Sequence, residues 1–468
     1  MSREEDNLLD FDISNWSPPV EGSPFALRLE SMIHGGQEGK SRSRVRNMIR
    51  LEKATQRQDI MNLSIHYSCC IDRPQRKAIM DLIKRDDREW VSFTMTGINE
   101  VGNMYSNVAF SEELQLLLQA LKQIRVLKFR SSTINRGHGL ELMLKEIPSF
   151  SNLEELHLEG WQIDRISASM LMNSLRCHTQ KSIRFLSFRS CRFIGENTFP
   201  IFCRGLKCVE SLSTLDLSHC NLQDTEIILL IGSLKTHPSI KCVDLEKNCC
   251  RTQSSVDTIA KWVSEVDCTL TALNIGALWT GFSEEGLLVR FVDPMPLLSA
   301  IGQNSSLCDL NVSENYLENE DIQYLTQSLL SQKWSSKLSS LDIGVNPFDE
   351  KGAASLLQLV RGLKTVQNIE FENPFMTYEC TQLVKIQAEA NFFDTCIGKS
   401  VDISLLLWPK IFARIQKGIK PRKSEQVSKL SADHIYRLLH ARTGSYGKQL
   451  SLRIALQKKK RNHHITLY

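Results

Sequence analysis

The 468-residue chain has no apolar run approaching the roughly 20 residues needed to cross a bilayer. Its opening residues, Met1-Ser-Arg-Glu-Glu-Asp6, are acidic and no apolar stretch follows them, which predicts no secretory signal. A soluble protein of the cytoplasm, the nucleus or both is expected. Aromatic residues are scarce at 7%, and glycine and proline number only 23 and 13. With 42% hydrophobic residues, that composition excludes a collagen-like or wholly disordered chain and leaves enough apolar side chains for a large core. Fourteen cysteines are present, yet there is no CxxC pair. The adjacent pairs Cys69-Cys70 and Cys249-Cys250 cannot both ligate one ion comfortably, so no metal is expected. Without a secretory signal an extracellular disulfide framework is not expected either, which leaves reduced, structural thiols.

Catalytic signatures are missing too. There is no Gly-x-Ser-x-Gly elbow, no His-Glu-x-x-His and no cluster of histidines with acidic partners. His66 and His157 fall on outward strand positions and are expected at the surface. The segment His34-Gly-Gly-Gln-Glu-Gly-Lys-Ser41 approximates a phosphate loop, but His34 stands where the first glycine belongs. Gly398-Lys-Ser400 fails in the same way, with Phe393 at that place. No enzyme and no cofactor are predicted.

What is abundant is repetition. One phrase recurs as Leu153-Glu-Glu-Leu-His-Leu158, Leu212-Ser-Thr-Leu-Asp-Leu217, Leu307-Cys-Asp-Leu-Asn-Val312 and Leu338-Ser-Ser-Leu-Asp-Ile343. Looser copies begin at Ile60, Trp90, Ile124, Ile183, Ile240, Leu270 and Val366. Of the ten intervals between starts, eight lie between 28 and 31 residues. Apolar residues at the fourth and sixth positions of a copy point the same way from a short strand, and their neighbours face solvent. Three places after the sixth position comes Cys191, Cys220, Asn248, Asn315 or Asn346, and an asparagine there can satisfy backbone groups where the chain leaves the strand. The rest of each copy reads as helix: Ser111 is expected to cap 114–121, Asn319 to open 322–330, and Gly352-Ala-Ala-Ser-Leu-Leu-Gln-Leu-Val360 has helical spacing. A strand and a helix in about 29 residues cannot bury a core alone, so copies must stack.

In these residues the chain resembles leucine-rich repeat proteins of the 28–29-residue class typified by ribonuclease inhibitor. The resemblance covers roughly residues 60–385 and implies an α/β horseshoe, with a parallel sheet on the concave wall and helices outside. The copies at Ile60, Trp90 and Leu270 depart from it in lacking Asn or Cys at the key place. The 37-residue interval adds Gly281–Val292, expected to bulge as a loop. The blocks Leu405–Ile415 and Ile435–Leu439 are similar to diatom-type leucine-rich repeat proteins, a short likeness that implies no function.

The expected organisation is a disordered segment 1–39, a basic helical cap 40–59, about eleven repeats over 60–394, a helical cap 395–445 and a flexible basic tail 446–468. Charge divides along the same lines. Residues 60–398 carry 32 Lys+Arg against 40 Asp+Glu, and residues 399–468 carry 16 against 3. Lys420, Arg422, Lys423 and Lys458, Lys459, Lys460, Arg461 concentrate that basic tail.

On the outward strand positions, Lys128, Arg130 and Arg189 come early, and Glu155, His157 and Glu159 lie among them. Asp216, Asp244, Glu246, Asp309, Glu314, Asp342, Glu370 and Glu372 follow. The second half of the concave wall therefore reads as acidic and suited to a protein partner with a basic patch. The expected function is non-catalytic protein binding by this face. Three alternatives stand beside it. One is a nucleic-acid or chromatin adaptor acting through the tail. Another is a ubiquitin-ligase substrate adaptor. The last is a Ran-type GTPase activator, for which Arg73 and Arg136 lie in suitable loops.

Overall fold

A computed structural model describes residues 25–29, 36–55, 60–66, 73–84, 90–96, 115–121, 123–136, 138–177, 182–282, 288–332, 336–371 and 378–397. Two compact units divide the chain, Met1–Leu222 with Gly232–Asp244, and Gln223–Ile231 with Leu245–Tyr468. Each is an α/β solenoid of leucine-rich repeats.

In the first unit, strands β1 (Phe25–Leu29), β2 (Ile60–His66), β3 (Ser92–Thr96), β4 (Val126–Arg136), β5 (Glu155–Ile163) and β6 (Phe185–Ser187) pair in parallel and in chain order. The short β7 (Arg192–Phe193) adds to the end of β5, and β8 (Thr214–Asp216) and β9 (Cys242–Asp244) continue the ladder beyond β6. The second unit holds β10 (Ala272–Asn274), an antiparallel hairpin of β11 (Thr280–Phe282) and β12 (Leu288–Arg290), and then β13 (Asp309–Asn311), β14 (Ser340–Asp342) and β15 (Asn368–Glu370). There β10, β13, β14 and β15 pair in parallel.

The repeat phrase explains this register. Its fourth residue stacks on the fourth residue of the next copy, in the series Leu63, Phe93, Leu127, Leu156, Leu186, Leu215, Val243 and again in Leu273, Leu310, Leu341, Ile369. Fourth and sixth residues of all eleven copies are at most 3% exposed. Each such side chain contributes about 1.5–3 kcal/mol by leaving water. A helix then closes each described coil from the far side, as Arg165–Cys177, Gln253–Val263 and Glu350–Gly362 do.

Past the sixth residue the backbone turns left-handed in seven successive copies, at Gly160, Ser190, His219, Lys247, Ala277, Glu314 and Val345. Beside that turn sits the asparagine or cysteine. Asn346 accepts from the Asn315 and Leu317 amides at 2.9 and 3.0 Å and donates to the Ile343 carbonyl at 2.9 Å. The Cys191 and Cys220 thiols donate to the Leu158 and Phe188 carbonyls, each at 3.0 Å. Burial pushes both thiols up, so they stay protonated. In the copy that begins at Leu153 the place belongs to Trp161, whose Nε1 donates to the Phe129 carbonyl at 3.3 Å.

Val345 is the misfit of the series: a β-branched residue at φ 53°, with 61% of its surface exposed. Val345→Gly is expected to raise unfolding free energy by about 1 kcal/mol, because relief of the left-handed strain outweighs the extra chain entropy of glycine. Urea denaturation gives the number, and an unchanged or lower midpoint would contradict it.

Helix caps reach between copies. Asp224 Oδ1 accepts the Arg251 and Thr252 amides, both at 3.1 Å, and the Ser255 hydroxyl at 2.5 Å, so it caps the helix of the following repeat. Burial pushes this carboxyl up, but the hydrogen bonds outweigh it and hold it below the usual range. Asn319 behaves alike. It does not cap its own helix, Asn319–Ser331, which opens on a capping box between Glu318 and Asp321. Its Oδ1 accepts the Asp349 and Gly352 amides at 3.1 and 2.9 Å, at the start of the next helix.

Several expectations change. Phe25–Leu29, within the segment predicted disordered, forms β1 and pairs with β2. The basic cap helix begins at Gly36, so Gly39, Lys40 and Ser41 are helical and form no phosphate loop. The Gly281–Val292 insertion contains strand residues rather than a plain bulge, as β11 pairs Thr280 with Arg290 and Gly281 with Val289. Arg136 closes β4 opposite Gln162, and Arg73 begins the helix Arg73–Lys84, so neither lies in the loop expected for a GTPase activator. Residues 1–24 and the whole basic tail, 398–468, lie outside the described residues, as do Glu372 and Ser111. Among the described residues, no helix is long and apolar enough to cross a membrane.

Candidate functional site

Outward strand positions carry the polar side chains of both units, and the structure sorts them into groups held by the fold and groups left available. In the first unit, Asp216 is buried. Its carboxylate accepts the Ser218 amide at 2.9 Å, the Ser218 hydroxyl at 2.7 Å and the Ser187 hydroxyl at 2.7 Å. Asp244, at the same place in the next copy, is buried as well. Neither presents the open carboxylate expected of a concave acidic surface: both are buried, and the Asp216 side chain folds back onto the strand exit.

His157 also departs from expectation. It is only 7% exposed, lies 4.6 Å from the Phe185 ring in a stacked arrangement, and has Nε2 3.3 Å from Glu155. Burial lowers its pKa, with Glu155 opposing and Lys128 adding to the shift, so the imidazole is neutral near pH 7. Arg130 pairs with Glu159 at 2.9 Å. Lys128 and Arg189 are half-buried on the same face.

The second unit repeats the backward fold of the fifth-position side chain. Asn274 accepts the Gly276 amide at 3.1 Å, Asn311 the Ser313 amide at 2.8 Å, and Asp342 the Gly344 amide at 3.0 Å. Three copies thus make one bond, two with a neutral amide and one with a carboxylic acid. Around Asp342 the electrostatics are unfavourable. Burial, then Glu370, Glu246 and Glu314, push its carboxyl up to about 6, against the pull of the Gly344 amide. Burial also raises Asp309.

Two lysines lie among these acids. Lys247 reaches Glu246 at 3.4 Å and Glu314 at 3.6 Å, and Lys385 reaches Glu370 at 3.1 Å. Asn274 adds a bond to Glu246 at 3.2 Å. Five acids against two lysines leave this strand face negative. Among the described residues, no group of histidines, cysteines and acids is arranged to hold a metal ion.

Sequence reasoning missed Phe185, Arg184 and Arg192. The first replaces the polar residue usual at its strand position, and the arginines lie at the entry and exit of β6, outside the outward positions considered. An aromatic ring at a position that is polar in most other copies is the available signal for Phe185.

No protein-family model matches the chain, and no curated protein matches it. Solved structures do. An internalin (inlF) from Listeria monocytogenes str. 4b F2365 has 13% sequence identity, covering 68% of this chain and 76% of its own, with a TM-score of 0.33. TLR13 in its complex with ssRNA13 also has 13% identity, over 68% of this chain and 40% of that one, with a TM-score of 0.35. The yeast Rad7 and Elc1 complex gives 11% identity, 73% and 92% coverage and a TM-score of 0.39.

Proposed function

We propose that the chain is a non-catalytic protein-binding scaffold, and that the strand face of its second unit takes a basic protein segment. One observation carries this reading: Asp342 retains a charge that the fold does not require. Asn274 and Asn311 make the corresponding hydrogen bond in the neighbouring copies without any ionisable group. At Asp342 the ionised form is held against burial and three carboxylates, which costs about 3 kcal/mol at neutral pH. A residue that lowers stability where an isostere would not is the mark of a binding position. A lysine- or arginine-rich segment laid across Glu246, Glu314, Asp342 and Glu370 would relieve that repulsion.

The sign of the pH dependence follows. A carboxyl raised in the folded state keeps its proton until about pH 6 and loses it near pH 4 when unfolded, so its ionisation removes stability between those values. Asp342→Asn is therefore expected to stabilise the protein by about 1–2 kcal/mol at pH 7, and to flatten the fall in stability between about pH 4 and 6. The same substitution should weaken binding of a fluorescein-labelled deca-lysine peptide by about threefold, and wild-type binding should weaken as pH drops through 6. Unchanged peptide affinity in the variant, measured by fluorescence anisotropy at pH 7, would remove the basis of the proposal.

A further inference from the structure

Six cations on and beside β4, β6 and β7 fall into two sets. Arg125 holds both carboxylate oxygens of Glu154, at 3.0 and 2.7 Å, and Arg130 holds Glu159. Lys128, Arg184, Arg189 and Arg192 pair with no carboxylate among the described residues. Three of these four follow a single coil: Arg184 directly before β6, Arg189 two residues after it, and Arg192 in β7. Arg184 and Arg189 flank β6 at its two ends, five residues apart in the chain. Lys128 lies on β4, two strands away, or roughly 10 Å across the ladder.

The nearby acids are already engaged. Glu155 faces His157, Glu159 holds Arg130, and Asp216 accepts three hydrogen bonds. Arg184 and Arg192 are exposed. The result is a set of three guanidinium groups on one coil, planar forks suited to carboxylates, with no carboxylate partner among the described residues.

We propose that the face formed by β4 to β7 docks an acidic protein segment, an extended run of Asp and Glu whose carboxylates engage Arg184, Arg189, Arg192 and Lys128. This surface is distinct from the acidic face of the second unit and of opposite sign, so it stands without the reading proposed above. A single-stranded nucleic acid fits less well. Base stacking needs open aromatic faces. On the described outward positions of β4, β5 and β6 the aromatic rings are Phe185 and His157, and they stack on each other. Glu155 and Glu159 also interrupt the positive stripe on the β5 side. A peptide can space its carboxylates around them, whereas a phosphate at every link cannot be spaced.

The test uses the full chain and fluorescence anisotropy with a fluorescein-labelled deca-glutamate peptide. Because the tail is itself basic, two triple variants of equal net charge are compared: Arg184, Arg189 and Arg192→Glu, and Lys458, Lys459 and Lys460→Glu. Reversal of the stripe is expected to weaken binding about tenfold or more, and reversal in the tail less than about threefold. A gentler variant, Arg184, Arg189 and Arg192→Gln, with a thermal midpoint matching wild type, should weaken binding in the same order. Equal losses in the two reversals, or no loss in the glutamine variant, would overturn the proposal. So would a labelled twelve-nucleotide oligouridylate that binds more tightly than the peptide and is released by the glutamine variant, since the occupant would then be a nucleic acid.

Discussion

Asn315→Leu is expected to destabilise the second unit by about 3 kcal/mol or more, although the substitution keeps the branched four-atom side-chain skeleton and adds apolar surface. Asn315 is wholly buried. Its Oδ1 accepts the Leu278 amide at 2.8 Å and lies 3.4 Å from the Trp279 amide, and its Nδ2 donates to the Ile275 carbonyl at 2.7 Å. Leucine would leave at least one amide and one carbonyl buried without a partner, each costing about 1–3 kcal/mol. The backbone of Asn315 is tied in as well, its amide to Asn346 Oδ1 at 2.9 Å and its carbonyl to Trp279 Nε1 at 3.0 Å, so the turn cannot swing out to find water cheaply. Urea denaturation supplies the magnitude, and hydrogen exchange should show faster loss at the Leu278 amide. A cost under about 1 kcal/mol would mean that water replaces the side chain.

The second large effect inverts a familiar rule. Alanine is ordinarily better than glycine inside a helix by about 1 kcal/mol. Gly302 lies in the helix Met295–Gln303 with its back to the next helix, where an added Cβ would stand 2.3 Å from Ser328 Cβ and 2.8 Å from the Ser328 carbonyl carbon. Backbone cannot yield as a flexible side chain can. Gly302→Ala is therefore expected to destabilise by about 2 kcal/mol through forced separation of the two helices. Gly232, in the helix Asp224–Leu234, provides the control, since nothing lies within 4 Å of its notional Cβ. Gly232→Ala should stabilise by about 0.5–1 kcal/mol. Thermal denaturation of both variants tests the pair, and two changes of the same sign would show that helix spacing does not decide the outcome.

The core was legible because the phrase Leu-x-x-Leu-x-Leu leaves little freedom: a slip of one residue would bury the polar neighbours. The asparagine and cysteine place was legible for a similar reason, as both residue types keep one offset from the strand. The candidate site was harder. Sequence shows that Asp216 and Asp342 stand on the outward side, but not that each turns back to accept an amide two residues ahead. Both read as open acids, and only Asp342 keeps a field of other acids around it. Nor does sequence separate Arg130, which is neutralised by Glu159, from Arg189, because that pairing depends on which side chains meet across neighbouring strands. The strand β1 escaped notice because Ser17–Pro24 just before it carries the composition of a loop.

The caps that Asp224 and Asn319 lend to the following helices bear on how such a coil comes apart. A repeat whose helix start is held by its predecessor cannot be peeled away with its own contacts alone: detaching 245–263 strips three donors from Asp224, and detaching 343–362 strips two from Asn319. Under a stretching force the second unit should therefore yield in steps longer than one repeat, with adjacent coils surrendering together. The same two side chains set a grammar for duplication. A copy inserted after residue 252 or after residue 349 inherits a helix start whose cap lies one copy too far back, and it must bring its own Asp or Asn to be accepted.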